Sequence, residues 1–211
     1  MPEIENKFSA FLYRFRGYIL GVIAVALVLA PPSIFPNDFR ENCFQINDCI
    51  IGILIAILLY VLSAFLRVRS RQYIGEHTRG RVHAAESLVT CGPYSQVRHP
   101  LYISNTGFAL GLALFHLGVS LWVVLFMIIV VAFEIALSRI EDRFLKNKFG
   151  EVWRAWALNT PAFFPRFRSD SKHVSAQRTF WQAFFADSST WLWLFFCNLL
   201  LLLRKVAVFY V

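Results

Sequence analysis

No G-x-G-x-x-G fingerprint and no P-loop occurs in this sequence, so a nucleotide-like cofactor, if one binds, is held without a Rossmann or Walker turn. Cysteine is scarce, with four in 211 residues. Cys91 and Cys197 have no partner at metal-ligand spacing, and Gly75, His77, Gly80 and His83 form no zinc pattern, which argues against a metal site. Cys43 and Cys49 are close enough to form a small disulfide on an oxidising side of a membrane, or they stand as two unpaired thiols. Internal repeats and low-complexity tracts are lacking. Acids are few, 13 Asp and Glu against 21 Lys and Arg. The resulting +8 comes in blocks between apolar runs, which orients a membrane protein and argues against a nucleic-acid partner.

What the chain has in abundance is apolar surface: 57% of residues are hydrophobic and 22 are Phe. An all-α, polytopic integral membrane protein is therefore expected. Residues 17–35 form a first apolar segment that ends at Pro31-Pro32, read as a retained span and not a cleaved signal peptide. Phe8, Phe11, Leu12 and Phe15, with Arg14 and Arg16, suit a short interface helix ahead of it. Residues 49–66 form the second segment. Residues 101–138, interrupted at His116-Leu117-Gly118, make two spans in a tight helical hairpin. The last runs over 189–203, short unless 206–211 extends it.

About five transmembrane helices result, with added cytoplasmic interface helices. Stretches 1–17, 67–99 and 139–188 hold 18 of the 21 basic residues, so the amino terminus and these stretches are placed in the cytoplasm. Arg204 and Lys205 then fall on the far side, the weakest point of that topology. Three sections are expected: 1–66 with the N-terminal spans, 67–167 as the core, and 168–211 with an interface segment and the last span.

The most informative stretch is CGPYSQVRHPLYISN, residues 91–105. Pro100 is preset for a first helical turn, and Tyr102, Asn105 and Thr106 share one face beyond it. Polar groups at the mouth of a membrane helix are costly and usually functional. The fourth span carries Glu134, Ser138 and Glu141 on one stripe, and a carboxylate at Glu134 is expected to face inward. A hairpin brings the two mouths together, Tyr94 to Asn105 beside Glu134 to Asp142. Arg67, Arg69 and Arg71 read first as a solvated juxtamembrane run contacting lipid phosphates. Gly107, Gly111 and Gly118 read as a close-packing face. From Ile140 the helix turns amphipathic, with Phe144, Leu145, Phe149, Val152, Trp153 and Trp156, until Pro161 and Pro165 stop it.

GPYSQVRHPLY, followed after a hairpin by RIEDRFLKNKFGEVWRAWALNTPAFFP, resembles the isoprenylcysteine carboxyl methyltransferase and phospholipid methyltransferase family over roughly residues 75–167. The resemblance implies a membrane-embedded enzyme using S-adenosyl-L-methionine, whose lipid or lipidated acceptor enters from the bilayer. It further implies that His99, Tyr102 and Glu141 contact the cofactor, with Tyr94, Leu101, Asn105, Ile140 and Asp142 around them. Arg98, Glu141 and Glu134 are the candidate catalytic residues. The second acid of the family pair is here Asp142, and the paired tyrosines are Trp153 and Trp156. A basic pocket from Arg98, Arg79 or Arg81 favours an anionic acceptor, and likeness to bacterial members that methylate lipid A phosphate favours a bacterial inner membrane over the endoplasmic reticulum. Two other classes compete: an NADPH-dependent lipid reductase of similar helical architecture, and a non-catalytic membrane adaptor.

Overall fold

A computed structural model describes residues 7–30, 46–74, 87–166 and 175–209. Cys43, the side chain of Cys49, residues 75–83, and with them Arg79 and Arg81, lie outside that description. All regular structure among the described residues is helical. The long helices are α1 (Lys7–Leu29), α2 (Ile46–Tyr73), α3 (Pro100–Leu117), α4 (Leu121–Asn159) and α6 (Ser188–Phe209), with a short α5 (Phe180–Phe185). By length and composition α1, α2 and α4 can each cross a membrane, and Ser188–Arg204 is a shorter apolar helix. The chain is an all-helical, polytopic membrane protein.

Local sequence sets most of the boundaries. α1 stops at Leu29, just short of Pro31-Pro32, because the residue before proline is driven out of the helical region. Its start differs from expectation: α1 runs unbroken from Lys7, so the expected interface helix is simply its first turns. Gly17 alone costs about 1 kcal/mol of helix propensity and does not end it. α4 ends at Asn159, just short of Pro161. α5 begins in a capping box, with Thr179 accepting from the Gln182 N–H and Gln182 accepting from the Thr179 N–H.

The hairpin interruption expected at His116-Leu117-Gly118 is where the turn falls: α3 ends at Leu117, and Gly118 adopts φ 64° while its N–H bonds the Leu114 carbonyl at 2.9 Å. A left-handed residue just past a helix end is ordinarily glycine, which has no Cβ to clash.

The chain divides into two compact units, the first drawn from residues 1–16, 64–104 and 133–187, the second from 17–63, 105–132 and 188–211. The second is apolar. Val28, Leu112, Cys197 and Leu201 form one buried cluster; Leu27, Ala113 and Val123 form another. Two α3 glycines let helices meet closely: a Cβ on Gly107 would lie 2.1 Å from the Ser63 hydroxyl, and one on Gly111 would lie 3.0 Å from the Tyr60 ring. Small residues at such crossings are the usual means of packing membrane helices, which gain little from the hydrophobic effect inside lipid. The Tyr60 hydroxyl bonds Asn198 at 3.2 Å, one of the unit's polar contacts between helices.

Arg204 explains the exception to the charge rule. Its guanidinium donates to the carbonyls of Val28 and, at 2.5 Å, Ala30, and it lies 3.4 Å from the His116 ring. Carbonyls at a helix C-terminus lack intrahelical partners and carry partial negative charge. Arg204 therefore caps α1. The ends of α1 and α3 and the late part of α6 meet at one end of this unit, as alternating spans require.

Candidate active site

The first unit holds nearly all of the predicted site. Its entrance is a single tight turn, Gly92–Ser95, after an extended Cys91. Gly92 has φ +59°, and a Cβ there would lie 2.4 Å from the Tyr73 ring; both conformation and space demand glycine. The chain then runs beside the segment after α4. Arg98 N–H bonds Pro161 O at 2.9 Å, His99 N–H bonds Ala162 O at 3.2 Å, and Arg166 N–H bonds Gln96 O at 3.0 Å. The proline-bearing segment thus supplies the carbonyls that hold Arg98 and His99 in place just before Pro100 opens α3.

Side chains from this turn meet α4. The Tyr102 hydroxyl donates to Glu141 Oε2 at 2.6 Å, a short, charge-assisted bond. His99, 4% exposed, has Nε2 3.2 Å from Asp142 Oδ1 and Nδ1 3.8 Å from Glu141 Oε2. The His99 ring stacks on Tyr102 at 5.4 Å and tilts against Phe163 at 5.8 Å. Arg98 pairs with Asp142 Oδ2 at 3.0 Å, its guanidinium 5.5 Å from the Trp153 ring. Trp156 donates its indole N–H to the Tyr94 carbonyl at 3.1 Å.

The tryptophans reach these positions through a break. Gly150 has φ 53° and ψ −121° in the middle of α4, a conformation reserved in practice for glycine. It turns the last stretch of α4, and both Trp153 and Trp156 lie on that stretch.

Deeper in the same unit, Glu134 (1% exposed) and Ser138 (3%) are buried, so the Glu134 carboxylate faces inward as the stripe predicts. Here the reading of Arg67 and Arg71 as part of a solvated run fails. Arg67 and Arg71 are i, i+4 neighbours on one face of α2, and both turn in toward Asp187. Arg67 Nε donates to Asp187 Oδ2, and Arg71 bonds the other carboxylate oxygen at 3.3 Å. Burial pushes the Asp187 carboxyl up, but the two guanidiniums outweigh it and hold it below its ordinary value. Gln72 O accepts from the N–H groups of Gln177 and Arg178, at 2.9 and 3.1 Å, fixing the strand of chain that delivers Asp187. Reading by segment missed Asp187; the available signal was that it is the sole acid between residue 171 and the end of the sequence.

The structure brings together Arg98, His99, Tyr102, Glu141 and Asp142, with Tyr94 and Glu134 in the same unit. Leu101 and Ile140 are half-buried there. Asn105 falls in the second unit. Among the described residues no group of three or more His, Cys, Asp and Glu can hold a metal ion.

Comparison with known proteins follows the same residues. Residues 51–152 match the phospholipid methyltransferase family. The chain is 36% identical over 179 residues to the cobalt-zinc-cadmium resistance protein CzcN of Cupriavidus metallidurans, covering 82% of this chain and 77% of that protein. It is 40% identical over 90 residues to the nickel-cobalt-cadmium resistance protein NccN of Alcaligenes xylosoxydans xylosoxydans, covering 41% of each. No solved structure matches. The helical hairpin, the RHPLY turn and the acidic pair it meets have their place in that relationship: the chain belongs to the phospholipid methyltransferase family.

Proposed function

We propose that this protein is an S-adenosyl-L-methionine-dependent methyltransferase that modifies a membrane lipid or lipidated acceptor, most favourably at an anionic oxygen such as a lipid phosphate or carboxylate. The observation that carries the reading is the meeting of Tyr102 and Glu141 at 2.6 Å beside the buried His99–Asp142 pair. Together they offer carboxylate for an ammonium, donors for a carboxylate, and aromatic faces for a flat ring. Among the described residues His99 Nε2 and Asp142 Oδ1 face each other at 3.2 Å without a hydrogen bond of good geometry.

On this reading Glu141 holds the cofactor's amino group, and His99 and Tyr102 line it with Leu101, Ile140 and Tyr94. Bound S-adenosyl-L-methionine supplies an electrophilic methyl group on a sulfonium. The chain's part is to position and to exclude water. Arg98, anchored by Asp142 and resting over Trp153, fixes the turn that presents His99. Glu134, buried in the same unit, is the remaining carboxylate of the site. An ionised oxygen needs no general base: as the acceptor O–C bond forms, the methyl–sulfur bond breaks and no proton moves.

The names of the relatives connect them with metal resistance. A methyl ester on a lipid phosphate removes one ionisable oxygen, and lowers the negative surface charge that concentrates divalent cations. A lipid A-type phosphate in a bacterial inner membrane, methylated from the cytoplasmic side, fits that link. The test is incubation of membranes carrying the protein with methyl-labelled cofactor. Label in an envelope lipid supports the reading; NADPH binding without S-adenosylhomocysteine binding replaces it with the reductase.

A further inference from the structure

The short helix α5 lies outside the stretch that matches the family, and methyl transfer gives it no role. Its sequence, FWQAFF, turns one small residue inward and its rings outward. Ala183 is buried, whereas Phe180, Trp181 and Phe185 are 44%, 64% and 66% exposed. The Trp181 and Phe185 rings stack at 6.3 Å, and Phe180 meets Trp181 edge-on at 5.5 Å. The three rings thus form one continuous apolar face, and a contiguous exposed face of this kind marks an interaction surface.

The depth of that face is set by α2. Residues 49–66 carry no charge and make about 27 Å of helix, close to the roughly 30 Å of hydrocarbon in a bilayer. Arg67 therefore stands at the hydrocarbon edge, with the exposed Phe65 just inside it. Gln72 lies about 8 Å further along the axis, within the headgroup layer. α5 is tied to both levels. Just before it, the Gln177 and Arg178 N–H groups bond Gln72 O at 2.9 and 3.1 Å. Just after it, Asp187 is held by Arg67 and by Arg71 at 3.3 Å.

We propose that α5 is an interfacial anchor: Phe180, Trp181 and Phe185 enter the bilayer at the boundary of headgroups and acyl chains, and the partner is the lipid leaflet from which the Arg67 end of α2 emerges. Tryptophan suits that depth, because its ring is apolar and its N–H can meet a headgroup. The capping box that starts α5 satisfies backbone donors that would otherwise need water. Anchored in this way, α5 delivers Asp187 to the arginines at a fixed depth. The inference does not depend on methyl transfer.

The test uses the full chain reconstituted into phosphatidylcholine–phosphatidylglycerol vesicles. The chain has six Trp, so Trp181 is read as the emission lost in Trp181→Phe, which keeps a ring at the position and should keep the melting temperature. That emission should be quenched more strongly by phosphatidylcholine brominated near the glycerol than by lipid brominated near the chain ends, and little by aqueous iodide. Phe185→Trp, made in the Trp181→Phe protein, moves the reporter one turn along the helix and should give the same order of quenching. Quenching by iodide and not by brominated lipid puts the face in water and overturns the anchor. Quenching by neither means that protein covers the face, a second copy included, and overturns it equally. Stronger quenching by the deep bromine places α5 in the hydrocarbon and overturns the assigned depth.

Discussion

The two units bury opposite kinds of group. The first buries Arg67, His99, Glu134 and Asp187, charged or titratable residues; in the second the buried residues are chiefly aliphatic, with glycines where helices cross. Apolar burial and close packing are sufficient to assemble membrane helices. Buried ion pairs often do no better for stability than apolar residues of the same size. Their concentration in one unit is therefore better explained by what that unit binds than by what holds it together.

Removing a charge partner should break this contrast most severely. Asp187→Ala leaves the buried Arg67 and half-buried Arg71 guanidiniums without the carboxylate they share and is expected to destabilise the protein by about 3–5 kcal/mol, read from thermal or denaturant unfolding in detergent. The worst change in the second unit should be steric. Gly107→Ala drives a methyl to within 2.1 Å of the Ser63 hydroxyl and should cost about 1–3 kcal/mol. Gly17→Ala, with nothing within 4 Å of its new Cβ, should instead stabilise by about 0.5–1 kcal/mol. If Gly107→Ala proves as harmless as Gly17→Ala, the Ser63 hydroxyl turns aside without cost.

Two sources of pH dependence lie in the first unit. The Asp187 carboxyl is held below its ordinary 3.8. Its contribution is present above that value and is lost as pH falls through the lower value of the folded state. Burial pushes the Tyr94 hydroxyl above its ordinary 10, with Glu141 adding to the rise and Arg71 opposing it. Stability from Tyr94 is present below pH 10 and lost as pH rises further. Unfolding followed from pH 3 to 11 in wild type and Tyr94→Phe checks both limbs; the alkaline loss should shrink in Tyr94→Phe.

Much of this was legible in the sequence because it is local. Proline set the ends of α1 and α4, the hairpin followed from apolar length and an interruption, and i, i+4, i+7 spacing placed Glu134 inward. The RHPLY turn and the Glu141–Asp142 pair could be joined because a hairpin forces its two open ends together. Contacts across long separations were not legible. Asp187 reaches Arg67 over 120 positions, and Arg204 reaches the end of α1 over 174. No spacing rule couples such residues. In both places a charge count names no partner: a run of arginines read as solvated is partly buried, and the cation at odds with the expected topology caps a helix.

The central claim, that the Tyr102–Glu141 meeting point holds a methyl donor, is tested most directly by calorimetric titration of S-adenosylhomocysteine into wild-type protein and Glu141→Gln. That substitution keeps the shape and the acceptor oxygen for Tyr102 but removes the charge. The wild-type protein should bind, and Glu141→Gln should bind at least about tenfold more weakly, the loss expected when a charged hydrogen-bond partner becomes neutral. Equal affinity in the two proteins, or no binding to the wild type in both detergent and lipid, would contradict the account.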